Sequence, residues 1–190
     1  MTTPQLYKVL SKDGQSCHGG SLQWPLPTKN EDGTWTPGEW VEVAGPLALC
    51  ENGLHLTSQP MTWYVEGSTL YAAEYDGDLV GDPSSDKVCV RRVRLVSEGL
   101  WSDHGVYHAG EHSLSGNATA TLYDHATATL YGNATATLSG NATATLSGNA
   151  TATLSDHATA RLYDHATATL SGNATATLSG NATATLSGNA

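Results

Sequence analysis

The chain closes on "SGNATATLSGNATATLSGNA" (Ser171–Ala190), and the same octad, Ser-Gly-Asn-Ala-Thr-Ala-Thr-Leu, runs without insertion from Ser115 to Leu186. Nine full copies fill that span. The period is strict, holds no Pro and marks no helix-type face, which argues against a helical bundle. Within each copy "ATATL" alternates with period two, so both Ala and the Leu share one side of a strand and both Thr the other. "SGN" supplies a turn, because Gly and Asn tolerate positive φ at little cost. Turning Thr inward would bury two hydroxyls per octad and expose Leu, which costs more than the reverse. Ala and Leu therefore form the predicted core, with Leu122, Leu130, Leu138, Leu146, Leu154, Leu162, Leu170, Leu178 and Leu186 as its large residues.

Three architectures are compatible with this pattern. A meander of antiparallel octads would leave a long naked apolar face. A complete coil of eight residues has no room for two strands, two turns and an interior. A coil of sixteen residues, two octads each, winds into a flattened parallel β-solenoid in which Leu faces Ala across a thin core. The last is the expectation, at about 4.5 coils of roughly 4.8 Å each from Ser115 onward. The substitutions agree with it. Asp-His replaces Gly-Asn at Asp124–His125, Asp156–His157 and Asp164–His165, and Tyr replaces Ser at Tyr123, Tyr131 and Tyr163. All fall in turns, and none touches an Ala or a Leu. These Asp-His pairs do not read as a metal site. His125 and His157 lie two coils apart, about 10 Å at the inter-strand spacing. A homotrimeric fibre built from the same octads stays open at this point.

Such a coil holds Thr-x-Thr outward on both broad faces. The odd octads would build one unbroken array from Thr119, Thr121, Thr135, Thr137, Thr151, Thr153, Thr167, Thr169, Thr183 and Thr185. The even face carries Arg161 in place of one Thr. Regular Thr-x-Thr ladders on a flat solenoid resemble insect antifreeze and bacterial ice-nucleation proteins. That resemblance implies an ice-binding or water-ordering surface. The plainer explanation is that Thr is simply the best exposed strand residue: β-branched, neutral and able to stack in ladders.

Before the repeat the composition is that of an ordinary globular domain. Residues 1–98 hold all seven prolines, four of the five tryptophans, and seven Lys/Arg against thirteen Asp/Glu, out of a net charge of −10. This balance repels phosphate polymers, so neither nucleic acid nor an anionic membrane is an expected partner. No apolar run approaches bilayer length. The opening "MTTPQLYKVL" lacks the pattern of a signal segment, so a cytoplasmic chain in a bacterial host, or a virion-associated one, is expected. The six "NAT" sequons then read as by-products of the repeat. Cys17, Cys50 and Cys89 are too few and too scattered for a disulfide framework. Strands are predicted at Leu6–Ser11 and Trp40–Ala44, up to Thr57, along "STLYAAEYDGD", and along "DKVCVRRVRLV" with a bulge at Arg91–Arg92. A short helix with Ser58 as N-cap and Pro60 in its first turn is expected between them. Residues 99–114 read as a degenerate repeat joining the two parts.

"SCHGG" (Ser16–Gly20), "CENGLHLTSQPMTWY" (Cys50–Tyr64) and "SSDKVCVRRVRLV" together make a pattern. It is similar to an uncharacterised domain family of bacteria and their phages. That family has a Cys-x-x-Gly-aromatic-His strand, a Pro and Trp/Tyr-Tyr helix, and an Asp-Lys strand, often followed by short repeats. The resemblance spans residues 6–96 and implies a bacterial or phage origin, but no catalytic residues. An enzyme reading also exists, since "GLHLTSQPMTWYV" faintly looks like ADP-ribosyltransferase folds. It would assign His55 to cofactor ribose and Glu74 as the acid; a half-buried strand histidine is the simpler account of His55. His104, His108 and His112 would make a metal face on a helix, but Gly105 and Gly110 oppose one. Cys17-His18 and Cys50-x4-His55 lack paired zinc spacing. No metal site and no cofactor are assigned.

The sequence thus predicts a structural or interaction protein: an α+β, mostly β, domain over residues 1–98 capping an all-β solenoid over 115–190. The final coil has no charge or Pro to blunt its edge, so a homodimer through that edge is expected.

Overall fold

The computed structural model describes residues 4–190; the first three residues of the "MTTPQLYKVL" opening lie outside it. The chain divides into two compact units, residues 1–101 and 102–190. Nearly all the regular structure is β. Among the described residues helix is confined to single 3-10 turns, Pro60–Trp63 and Trp101–His104, and no helix is long and apolar enough to cross a membrane.

The first unit contains β1 (Leu6–Leu10), β2 (Thr28–Lys29), β3 (Trp35–Thr36), β4 (Val41–Glu42), β5 (Leu54–Leu56), β6 (Thr69–Val80) and β7 (Val88–Glu98). An antiparallel sheet runs β1-β6-β7-β4, and β5 also pairs with β7. Tyr7 and Thr57 exchange two backbone hydrogen bonds, of 2.8 and 3.0 Å. They tie β1 to the residue that follows β5. The path β1-β6-β7-β5-β1 is thereby closed, which removes one open edge of the sheet. Leu6, Leu54, Leu56, Val88, Val90, Val93 and Leu95 share a buried core with Trp24 and Tyr71.

Three expectations need adjustment here. The bulge foreseen at Arg91–Arg92 lies at that level, but its extra residue belongs to the partner strand. The β6–β7 register slips between Asp76 and Leu79, so Gly77 and Asp78 together face Arg91. Gly77 takes φ 82°, the left-handed conformation such a bulge needs. Ser58 is not an N-cap. Gln59 holds that position without a side-chain cap bond. Ser58 Oγ instead donates to Ser85 O at 3.0 Å, while Thr57 Oγ1 accepts from the Gln59 N–H at 2.8 Å. A four-residue turn has too few orphan amides to demand a cap. The Gly/Pro/Asn-rich loop also holds the β2–β3 hairpin, which its composition had hidden.

The second unit is a parallel β-solenoid. Its strands are β8 (Val106–Tyr107), β9 (Glu111–Leu114), β10 (Thr119–Leu122), β11 (Thr127–Leu130), β12 (Thr135–Leu138), β13 (Thr143–Leu146), β14 (Thr151–Leu154), β15 (Thr159–Leu162), β16 (Thr167–Leu170), β17 (Thr175–Leu178) and β18 (Thr183–Leu186). Even-numbered strands form one sheet, β18-β16-β14-β12-β10-β8, and odd-numbered strands from β9 to β17 the other. Each strand from β12 onward pairs in register with the strand sixteen residues earlier, Thr135 with Thr119 and Leu138 with Leu122. One coil is two octads. Leu122 through Leu170 are fully buried among the repeat's alanines. At the far end, Leu178 and Leu186 remain 42% and 56% exposed.

β8 and β9, within the stretch read as a junction, form the first coil. Its turn is one residue short. Leu122 pairs with Tyr107, fifteen residues back, whereas Thr127 pairs with Glu111, sixteen back. The corners are hydrogen-bonded too. The third residue of each turn donates to the second residue of the coil before, as Asn133 to Gly116 (2.9 Å) and Asn141 to Asp124 (2.8 Å). The second residue always takes positive φ, from 52° at Asp124 to 74° at Gly188. Gly therefore does the turning; its neighbour Asn is not in the left-handed region.

Candidate functional site

Two regions hold candidate functional residues: the Thr face of the solenoid and a cleft in the first unit.

The ten threonines of the odd octads lie on β10, β12, β14, β16 and β18, in one sheet and one register. All but Thr121 are well exposed, and no other residue type interrupts them. Their hydroxyls reach one another along the stack, as at Thr135 Oγ1 and Thr151 Oγ1, 3.1 Å apart. On the opposite sheet the same contact joins Thr127 and Thr143 at 3.0 Å. There Arg161 stands between Thr145 and Thr177 and breaks the array.

The turn substitutions have a physical role that pattern alone did not reveal. Asp156 and Asp164 point back one coil, where Oδ2 accepts the N–H of Gly140 (3.2 Å) and of Gly148 (3.1 Å). Asp124 reaches His108 Nδ1 in the same way at 2.9 Å. Ser at the turn's first position works similarly: Ser155, Ser171 and Ser187 donate to Leu138, Leu154 and Leu170 carbonyls at 3.4, 3.3 and 3.1 Å. The histidines of the first coil are structural in the same sense. His112 stacks on Tyr107 with centroids 3.7 Å apart and bonds the Ala109 carbonyl, while His108 stacks on Tyr123. Among the described residues no three His, Cys, Asp or Glu gather as a metal set.

In the first unit the separated motifs meet. His18 Nε2 bonds Trp63 O at 2.7 Å and lies edge-on to its indole, with centroids 5.2 Å apart. Trp63 Nε1 donates to Asp86 O at 2.7 Å, and the Lys87 ammonium sits 5.5 Å above the same ring. Lys87 Nζ also donates to Cys50 Sγ at 3.2 Å. The Cys50 N–H donates to His55 Nε2 at 3.0 Å, which leaves the His55 ring proton on Nδ1. Lys8 Nζ donates to the His55 carbonyl at 3.1 Å, 4.9 Å over the Trp24 ring. Next to this group, Gly53 takes φ 141°, and a Cβ there would overlap the buried Cys89 Sγ. The cleft so formed encloses about 130 Å³, bounded by Lys8, Lys87, His18, His55, Ser16 and Trp63 among others.

Charge in the cleft is of one sign. Burial lowers the Lys8 pKa to about 8, with Lys87 adding to the fall and Cys17 opposing it. Burial also lowers that of His55, helped by Lys87 and Lys8. The Cys17 thiol is pushed up by burial, against the pull of Lys8. Glu74 does not share this cleft. It lies on β6 opposite Arg94, whose guanidinium it binds at 2.7 and 2.9 Å, and it lines a separate, shallower hollow.

A known family matches over residues 5–104, just over half the chain, and its description is "Domain of unknown function (DUF7666)". The chain belongs to this family. No curated protein and no solved structure matches it. The match covers every segment that lines the cleft. Lys8, Lys87 and Trp63 had not been singled out as site residues. The recurrence of Trp and Asp-Lys in the family pattern was the one signal for two of them; a single Lys on β1 gave none.

Proposed function

We propose that this DUF7666 protein, from a bacterium or phage, is a structural and interaction protein whose solenoid is a rigid element presenting flat Thr arrays. The observation that carries this reading is the sixteen-residue register, which stacks ten odd-octad threonines in line while every Leu from Leu122 to Leu170 is buried. Stacked identical coils pair backbone groups in strands and corners alike, so the surface is fixed by the ladder rather than by side-chain packing. If nothing covers the last coil, the exposed Leu178 and Leu186, with β17 and β18 each paired on one side only, support self-association through that edge. Sedimentation across a hundredfold concentration range tests this; a strict monomer throughout would rule it out.

The unbroken exposed odd face supports a second reading, that the lattice orders water or binds ice. Purified protein and a Thr135→Lys/Thr151→Lys variant are to be compared on growing ice crystals and in freezing-point measurements. Unshaped ice with both supports the structural role alone. Faceting by the parent, lost in the variant, would replace that role with ice binding.

A further inference from the structure

The cleft of the first unit is an electrostatic anomaly in an acidic chain. The arginines of this unit each meet carboxylates: Arg91 with Asp78, Arg92 with Asp76 and Glu42, Arg94 with Glu74. Lys8 and Lys87 have no carboxylate partner among the described residues, and the cleft wall contains no Asp or Glu. Both ammonium groups are held by neutral acceptors, a carbonyl and a thiol, and each rests against an indole. Two cations turned into one concavity without a counter-charge repel each other, and partial burial strengthens that repulsion. Family segments far apart in sequence create the arrangement.

We propose that this cleft is a binding site for a small tetrahedral oxyanion, a phosphate or phosphoryl group, held between Lys8 and Lys87. The open cleft, with about 130 Å³ of free volume, has room for such a group. His55 keeps an Nδ1–H donor, and His18, Ser16 and Trp63 complete the wall. A dianion between the two ammonium groups makes two charge-assisted contacts where a monoanion makes a weaker pair. Burial, and then the neighbouring Lys87 ammonium, lower the basicity of Lys8, as expected of a cation held in this cleft beside a second one.

The test is calorimetric titration of the full chain with sodium phosphate at constant ionic strength, against chloride. Saturable binding at one site is expected, weakened about tenfold or more in Lys8→Met and in Lys87→Gln, and unchanged in Lys29→Gln. Thermal melts of each variant establish folding; should Lys8→Met not fold, Lys87→Gln decides alone, since Lys87 is only half-buried. Titration with AMP separates the sources. Tighter binding than phosphate identifies a nucleotide phosphoryl, and equal or weaker binding a free oxyanion. No saturable phosphate or AMP binding, or equal loss in Lys29→Gln, overturns the proposal.

Discussion

At the scale of single residues, the molecule is held by positions where only one side chain fits. Gly53 combines φ 141° with contact against Cys89, so Gly53→Ala is expected to cost about 2–4 kcal/mol, read by chemical denaturation. The Asp residues of the turns balance strain against a hydrogen bond. Asp156 sits at φ 58° but accepts the Gly140 amide. Asp156→Ala keeps the strain and loses the bond, and should destabilise by about 1 kcal/mol, whereas Asp156→Gly should be close to neutral. Lys8 makes stability depend on pH. Its folded pKa of about 8 lies below the ordinary 10.5, so between those values the unfolded chain holds more protons and stability rises with pH. Tyr7, Cys17, His18, His55 and Lys87 are the titratable groups around it. The parent should therefore gain on Lys8→Met from pH 8 to pH 10, by about 2 kcal/mol. A constant difference across that range would contradict the assignment. Little of this was legible in the sequence, because a positive φ at Asp or a buried lysine without a carboxylate partner is set by chain segments far away.

At the scale of the element, the octad was almost wholly legible. "ATATL" alternates, and a one-residue slip would turn every Leu to solvent, so the register had a single low-energy answer. The choice of sixteen residues over eight followed from counting what a coil must contain. What the pattern missed are elements whose reasons are tertiary. β8 and the short first turn lack the repeat's residues and are recruited by pairing with β10. The Thr57–Tyr7 closure joins segments fifty residues apart, and no local signal announces it. The same view ranks core substitutions. Leu146→Ala removes a fully buried side chain between coils and should cost about 3 kcal/mol. Leu186→Ala, at a position 56% exposed, should cost well under half as much. Equal losses in denaturation experiments would mean that the coils do not share one graded core.

At the scale of the whole molecule, two units of different physics share one chain. The first is a closed β domain whose side chains converge on a cationic cleft; the second repeats one local solution, its coils held by continuous backbone pairing. Hydrogen exchange should show this difference. Amides of the middle strands, β12 to β15, are paired on both sides and should be the slowest in the repeat, with β17 and β18 exchanging first. The sixteen-residue coil is the claim on which the Thr lattice and the rod both rest. It is tested most directly by paired cysteines in a chain whose three native cysteines are replaced by serine. Thr135 and Thr151 are register partners in one sheet, whereas Thr143 belongs to the other. Under mild oxidation Thr135→Cys/Thr151→Cys should close a disulfide, since parallel neighbours stand at about 4.8 Å, and Thr135→Cys/Thr143→Cys should not, across about 10 Å. Ready closure of the second pair with failure of the first would contradict the account and return the octad itself as the unit of pairing.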